Sequence, residues 1–229
     1  MTKIKSQIIA LSKTINNAEK EAERPLNSVK LLAVSKTQTA DVLRLAFEEG
    51  QRSFGENYLQ EALTKINALT NLDIEWHFIG PIQSNKTKDI ATHFDWVQSV
   101  DRLKIAQRLS SQRPEDLDKL NICIQVNIDN ESTKSGVVPD DVLNLAEQIT
   151  QFDNLQLRGL MIIPKKTTDI QQQQQSFQRA HQLYLKLASH YPSIDTLSMG
   201  MSADMQLAIL EGSTMVRIGT ALFGQRHSS

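Results

Sequence analysis

Apolar and polar positions alternate along this chain in two rhythms. Over residues 1–24, apolar side chains recur at Ile4, Ile8, Leu11, Ile15, Ala18 and Ala22. Steps of four and three put them on one face of a helix, and Pro25 ends it. Such a stripe either docks the helix on its own domain or forms a seam between two chains; docking is the expectation.

After Pro25 a single unit repeats: a short apolar run, then an amphipathic stretch. VKLLAVSK (29–36) predicts a strand and ADVLRLAFEEG a helix. QRSFG (51–55) leads into ENYLQEALTKINAL, IEWHFIG (74–80) into NKTKDIATHF, and DWVQSV (95–100) into DRLKIAQRLSSQ. NICIQVNI (121–128) passes through the polar loop DNESTKSGVVP to DDVLNLAEQITQF. LQLRGLMII (155–163) precedes SFQRAHQLYLKLASHY, DTLSMG (195–200) precedes DMQLAILEG, and TMVRIG (214–219) precedes a short TALFG.

Uniform alternation implies parallel strands joined by helical crossovers. Eight such units close naturally into a (β/α)₈ barrel. An open doubly wound sheet fits less well, since no Gly-rich first turn, GxGxxG or Walker motif is present. The expected organisation is one domain over residues 1–229, with 1–24 as an added N-terminal helix. The run QQQQQ (171–175) opens a helix and is expected to form a solvated face.

Composition narrows the class of protein. The chain has 229 residues, 40% of them hydrophobic and 22% charged, with a formal net charge of −1. A balanced charge argues against a nucleic-acid or anionic-membrane surface. No apolar run approaches the ~18 residues of a membrane helix. The N-terminal segment lacks the apolar core and cleavage site of a signal peptide. Cys123 is the one cysteine, so an intrachain disulfide is excluded, and its alternating strand makes it a core residue. Together these point to a cytoplasmic protein.

Barrel active sites lie at the C-terminal ends of the strands. The first run ends on Ser35 and Lys36. Partial burial there lowers a lysine's pKa, and a neutral amine attacks aldehydes; a lysine snorkelling to solvent is the plainer alternative. After the seventh run, Ser202 in SMGMSADMQLAI is placed to N-cap a helix. After the eighth, Gly219 and Thr220 start another. Two adjacent helix starts make an anion seat, the usual phosphate position in this architecture, although ordinary capping requires no ligand. Arg217 shares a strand face with Gly219 and points inward, either to a ligand or into an ion pair. His77 sits between Trp76 and Phe78, as a core residue or stacked on a flat cofactor. His93, His181, His190 and His227 show no ligand spacing and HExxH is absent, so no metal is expected. NESTKSG (130–136) is expected to be a surface loop rather than a lid.

LLAVSKTQ, FGENYLQEA, EWHFIGPIQSNK, VNIDNESTKSG, RGLMII, LSMGMSADMQLAI and VRIGTALFG, in this order and spacing, resemble the YggS/PROSC family of pyridoxal phosphate homeostasis proteins over nearly the whole chain. The motif positions show no departure; only PKKTTDIQQQQQ is more Gln-rich than expected, and away from the site. The resemblance implies a barrel similar to the N-terminal domain of alanine racemase. It implies that Lys36 holds pyridoxal 5′-phosphate (PLP) as a Schiff base, that Ser202, Gly219 and Thr220 hold the phosphate, and that Arg217 lies near the pyridine nitrogen. Asn57 and His77 fall on motif positions lining the pocket. The expected role is cofactor holding in vitamin B6 and amino-acid homeostasis without an established reaction, with apo PLP-dependent enzymes as partners and a monomeric state.

Two alternatives belong beside it. A PLP-dependent amino-acid racemase needs proton transfer on both faces of the substrate. In the racemase arrangement the second base is a tyrosine from another domain of the partner chain, which is not expected here. Tyr184 and Tyr191 are expected to face away from the mouth, and Tyr58 to be carried outward by its helix. A cofactor-free lysine aldolase is the other alternative, and it would be colourless.

Overall fold

The apolar runs become strands because each lies between a packed barrel lumen and a helical layer, with both faces removed from water. The computed structural model describes residues 2–224. Helix α1 (Lys3–Glu21) precedes the first unit, β1 (Lys30–Val34) and α2 (Ala40–Glu48). Then follow β2 (Ser53–Glu56), α3 (Leu59–Ala68), β3 (Glu75–Phe78), α4 (Thr87–His93), β4 (Trp96–Val100) and α5 (Leu103–Gln112). The second half runs β5 (Leu120–Val126), α6 (Val142–Ile149), β6 (Leu155–Ile162), α7 (Ile170–Ala188), β7 (Thr196–Ser198), α8 (Met205–Leu210), β8 (Met215–Ile218) and α9 (Thr220–Phe223).

The strands close in sequence order, and β8 pairs back onto β1. Every pairing is parallel. The expected (β/α)₈ barrel is therefore the fold. The strands are shorter than the apolar runs because the run ends roll into loops; Ser35 and Lys36 lie just beyond β1.

Two kinds of core result. Between strands and helices pack residues such as Ala33, Phe54, Val97, Ile122 and Leu160. Inside the lumen sit two smaller clusters, Leu32, Ile79 and Met215 in one and Trp96, Cys123 and Met161 in the other. Cys123 is core, and burial raises its thiol pKa so far that it stays protonated.

Helix α1 docks on the barrel's own α2, α8 and α9, burying Leu11, Ile15 and Ala18. Glu19 at its end is buried and accepts the backbone N–H groups of Asn27 (3.0 Å) and Val29 (2.8 Å), which fixes the entry to β1. The glutamine run is solvated in part: Gln171, Gln172 and Gln175 are exposed. It lies within α7, and Gln173 and Gln174 are half-buried. Their amides donate to Asp204 (3.1 Å) and Glu211 (2.5 Å), tying α7 to both ends of α8.

Candidate functional site

A cavity of about 330 Å³ opens at the C-terminal end of the strands. Lys36, Asn57, Ser202, Arg217, Gly219 and Thr220 all line it, with Val34, Ile79, Ile163 and Met201 among its apolar walls. Six of the seven residues singled out in the sequence therefore meet in one place.

His77 does not line it. The imidazole is fully buried inside the barrel, stacked on Trp96 with ring centroids 5.1 Å apart and planes 13° apart. The resemblance puts it on the wall; of the two readings its own strand leaves open, core residue or cofactor stack, the barrel shows the core residue.

Lys36 is half-buried in the β1–α2 loop, and the residues on either side of it are clamped from behind the sheet. The Ser35 hydroxyl donates to Glu56 Oε1 (2.6 Å) and its carbonyl accepts from Lys65 Nζ (2.8 Å). The Thr37 N–H donates to Glu61 Oε1 (2.5 Å), holding Thr37 at a left-handed φ of 68°. Lys65, almost wholly buried, pairs with both carboxylates, at 2.7 Å and 2.5 Å. Burial of Glu56 raises its pKa, against the pull of Lys65 and Ser35. Helix α3 makes this possible because Glu61 and Lys65, one turn apart, share a face. None of these three was singled out from sequence; a Glu–x₃–Lys pair after a strand reads as an ordinary surface pair.

Asn57 is fixed by close packing. A Cβ on Gly80 would stand 2.0 Å from the Asn57 carbonyl oxygen, so only glycine lets β2 and β3 approach there. The Asn57 side-chain oxygen is buried without a hydrogen-bond partner.

Ser202 does not N-cap α8 as expected; Asp204 occupies that position and accepts the Met201 N–H at 2.6 Å. The Ser202 hydroxyl instead crosses to the last unit and accepts from the Ala221 N–H, in the first turn of α9, at 3.3 Å. Gly219 is the N-cap of α9 and Thr220 its first residue. The β7–α8 loop and the start of α9 thus form one wall. Gly200, at φ +95°, turns the chain into that loop.

Arg217 points inward as expected and is 5% exposed. Its Nη1 donates to the Ser198 carbonyl (2.7 Å) and hydroxyl (2.8 Å), and its Nη2 to the Ile162 carbonyl (2.8 Å). Its partners are neutral, so the ion-pair alternative is not what the barrel shows. Burial lowers its pKa to about 10, and it remains a cation at neutral pH.

Tyr58 is 56% exposed and does not line the cavity. The loop holding NESTKSG is also absent from the walls; Asn127 closes it through Glu131 and Lys134. Among the described residues no three His, Cys, Asp or Glu side chains gather as metal ligands, and His227 lies outside those residues. No helix among the described residues is long and apolar enough to cross a membrane.

A parallel barrel with a lysine beyond β1 and hydroxyls at the β7 and β8 ends defines a protein of the alanine-racemase barrel type. Residues 9–227 match the family model described as alanine racemase, N-terminal domain. A Pseudomonas aeruginosa protein named pyridoxal phosphate homeostasis protein is 54% identical over 226 residues, covering 99% of this chain and 97% of its own. A Pasteurella multocida protein of the same name is 51% identical over 230 residues, covering 99% of each. PipY of Synechococcus elongatus, solved with PLP bound, superposes with a TM-score of 0.82 at 38% identity, covering 97% of this chain and 100% of that one. The chain belongs to the pyridoxal phosphate homeostasis protein family.

Proposed function

We propose that this protein binds PLP in the cavity and serves as a holder of the cofactor in vitamin B6 homeostasis, not as a catalyst. The observation that carries this reading is one cavity with an amine on one wall and hydroxyls with a helix start on another. PLP supplies an aldehyde, a ring nitrogen and a phosphate. Lys36 Nζ would hold the cofactor through its aldehyde carbon, the chemistry an amine offers there. Ser202, Gly219 and Thr220 bind the phosphate oxygens, and Arg217 donates toward the ring nitrogen. The unpartnered Asn57 oxygen offers an acceptor to the bound molecule. His77 has no direct contact in this reading.

The walls favour holding over turnover. Among the described residues lining the cavity there is no Asp, Glu, His, Cys or Tyr, so Lys36 is the one general base at hand. Racemization requires a second. The protein is further proposed to work in the cytoplasm as a monomer, residues 1–229 acting as one unit, and to release PLP to apo forms of PLP-dependent enzymes.

A spectrum of the purified protein supplied with PLP, followed by borohydride reduction and peptide mapping, tests this. The expected result is a yellow protein whose label maps to Lys36, with no colour in Lys36→Ala. A label on another lysine would overturn the assignment. Incubation with amino acids in heavy water should show no enzyme-like exchange at Cα; such exchange would establish the racemase alternative. Ser202→Ala with Thr220→Ala should weaken retention, each lost charge-assisted hydrogen bond being worth about 1.5–3 kcal/mol.

A further inference from the structure

Arg217 is the last member of a hydrogen-bonded row that runs down the barrel lumen. Ser198, on β7, donates its hydroxyl to Gln98 Oε1 at 2.7 Å. Gln98, on β4, reaches His77 Nδ1 at 2.9 Å and Met215 Sδ at 3.1 Å. His77, on β3, meets Glu75 Oε1 at 2.6 Å through Nε2. Glu75 also accepts from Lys30 (2.5 Å) and Ser53 (2.9 Å) at the opposite end of the barrel. Strands β4 and β7 are not neighbours, so the Gln98–Ser198 bond spans the lumen itself. His77, Gln98 and Ser198 are fully buried.

The donors run in one direction, and chemistry fixes it. A carboxylate only accepts, so Nε2 of His77 holds a hydrogen, and in the neutral imidazole Nδ1 is then the acceptor. The Gln98 amide nitrogen must then face His77, leaving its oxygen for the Ser198 hydroxyl. That hydroxyl has spent its one hydrogen, so toward Arg217 its oxygen accepts. With Nη1 and Nη2 both tied, the guanidinium cannot turn in its plane without breaking all three of its bonds.

A lumen filled with apolar side chains would serve stability as well, and a half-satisfied polar row costs more than none. A fully ordered row ending on the buried Arg217 guanidinium, which lines the cavity, fits another purpose. We infer that Ser198, Gln98 and His77 are positioning residues that hold the Arg217 guanidinium in one orientation toward the ring of the bound cofactor. This rests on the reading of the cavity as a PLP site.

Two measurements test it. In the PLP-free protein, nitrogen NMR should show His77 neutral with hydrogen on Nε2, and its signal should move when PLP is added. In the loaded protein, Ser198→Ala and, independently, Gln98→Leu should shift the pH at which the bound chromophore titrates. They should also weaken PLP retention by about tenfold to a hundredfold, the loss expected for a hydrogen bond to a charged group. Ser198→Thr, which keeps the hydroxyl, should restore both. A charged or Nδ1-protonated His77 overturns the row, a result that needs no variant to fold. A chromophore pH profile unchanged in Ser198→Ala overturns the positioning role while leaving PLP binding intact. A wild type that takes up no PLP at Lys36 overturns the cofactor reading instead.

Discussion

His77 and Lys65 show how single buried groups set the behaviour of this protein. Burial lowers the His77 pKa from its ordinary value, with Glu75 pulling the other way. In the unfolded chain the same group takes a proton near its ordinary value. Below that value the unfolded state binds more protons than the folded state, so stability falls with acid. Urea unfolding should show stability beginning to fall as the pH drops through the ordinary imidazole value of about 6.5 and continuing to fall toward the lower folded-state value, and His77→Gln should flatten that slope. Glu75, held below the usual carboxylate range by His77 and Lys30 against its burial, adds a separate loss at lower pH. Lys65 acts through charge pairing. Lys65→Met leaves Glu56 and Glu61 without their cation and is expected to cost about 3–5 kcal/mol. Adding Glu56→Gln should recover part of that in the same denaturation assay, since one uncompensated carboxylate is then gone.

At the scale of elements, the site depends on how closely neighbouring strands approach. Gly80→Ala would drive a methyl group into the Asn57 carbonyl, and neither is a flexible side-chain end. The expected cost lies at the upper end of the roughly 1–3 kcal/mol of overpacking, together with weakened PLP retention as Asn57 moves. Calorimetry and a PLP titration read the two effects separately. The same elements show what the sequence discloses. Eight apolar runs spaced by amphipathic stretches give the barrel, and strand ends give Lys36, Arg217, Gly219 and Thr220, because periodicity reports which face a residue takes. It does not report depth: the strand leaves His77 as core or as a cofactor stack, the resemblance puts it on the wall, and it is buried in the lumen. Nor does it report contacts between distant units: Ser202 was expected to cap its own helix and instead bonds the next one. Gln98 and Ser198 left one faint signal, polar side chains within strands that are buried on both faces.

Over the whole molecule, the apolar stripe of helix α1 is spent on its own barrel. In the proposed monomer the stability gained by filling the cavity belongs to one chain. A ligand that binds only the folded state stabilises it by RT ln(1 + [L]/Kd), about 2.7 kcal/mol at a hundredfold excess over Kd. For a domain of this size that corresponds to a rise of about 5–10 °C in the melting temperature. The rise should grow with PLP concentration and, for the proposed monomer, be independent of protein concentration. Lys36→Ala should lose most of it, whereas inorganic phosphate alone, reaching only the Ser202, Gly219 and Thr220 wall, should give a smaller rise in both proteins. An equal rise with PLP in wild type and Lys36→Ala would show that the covalent bond adds nothing to the hold. A melting temperature that climbs with protein concentration would show that a second chain takes part in folding, against the docked position of α1.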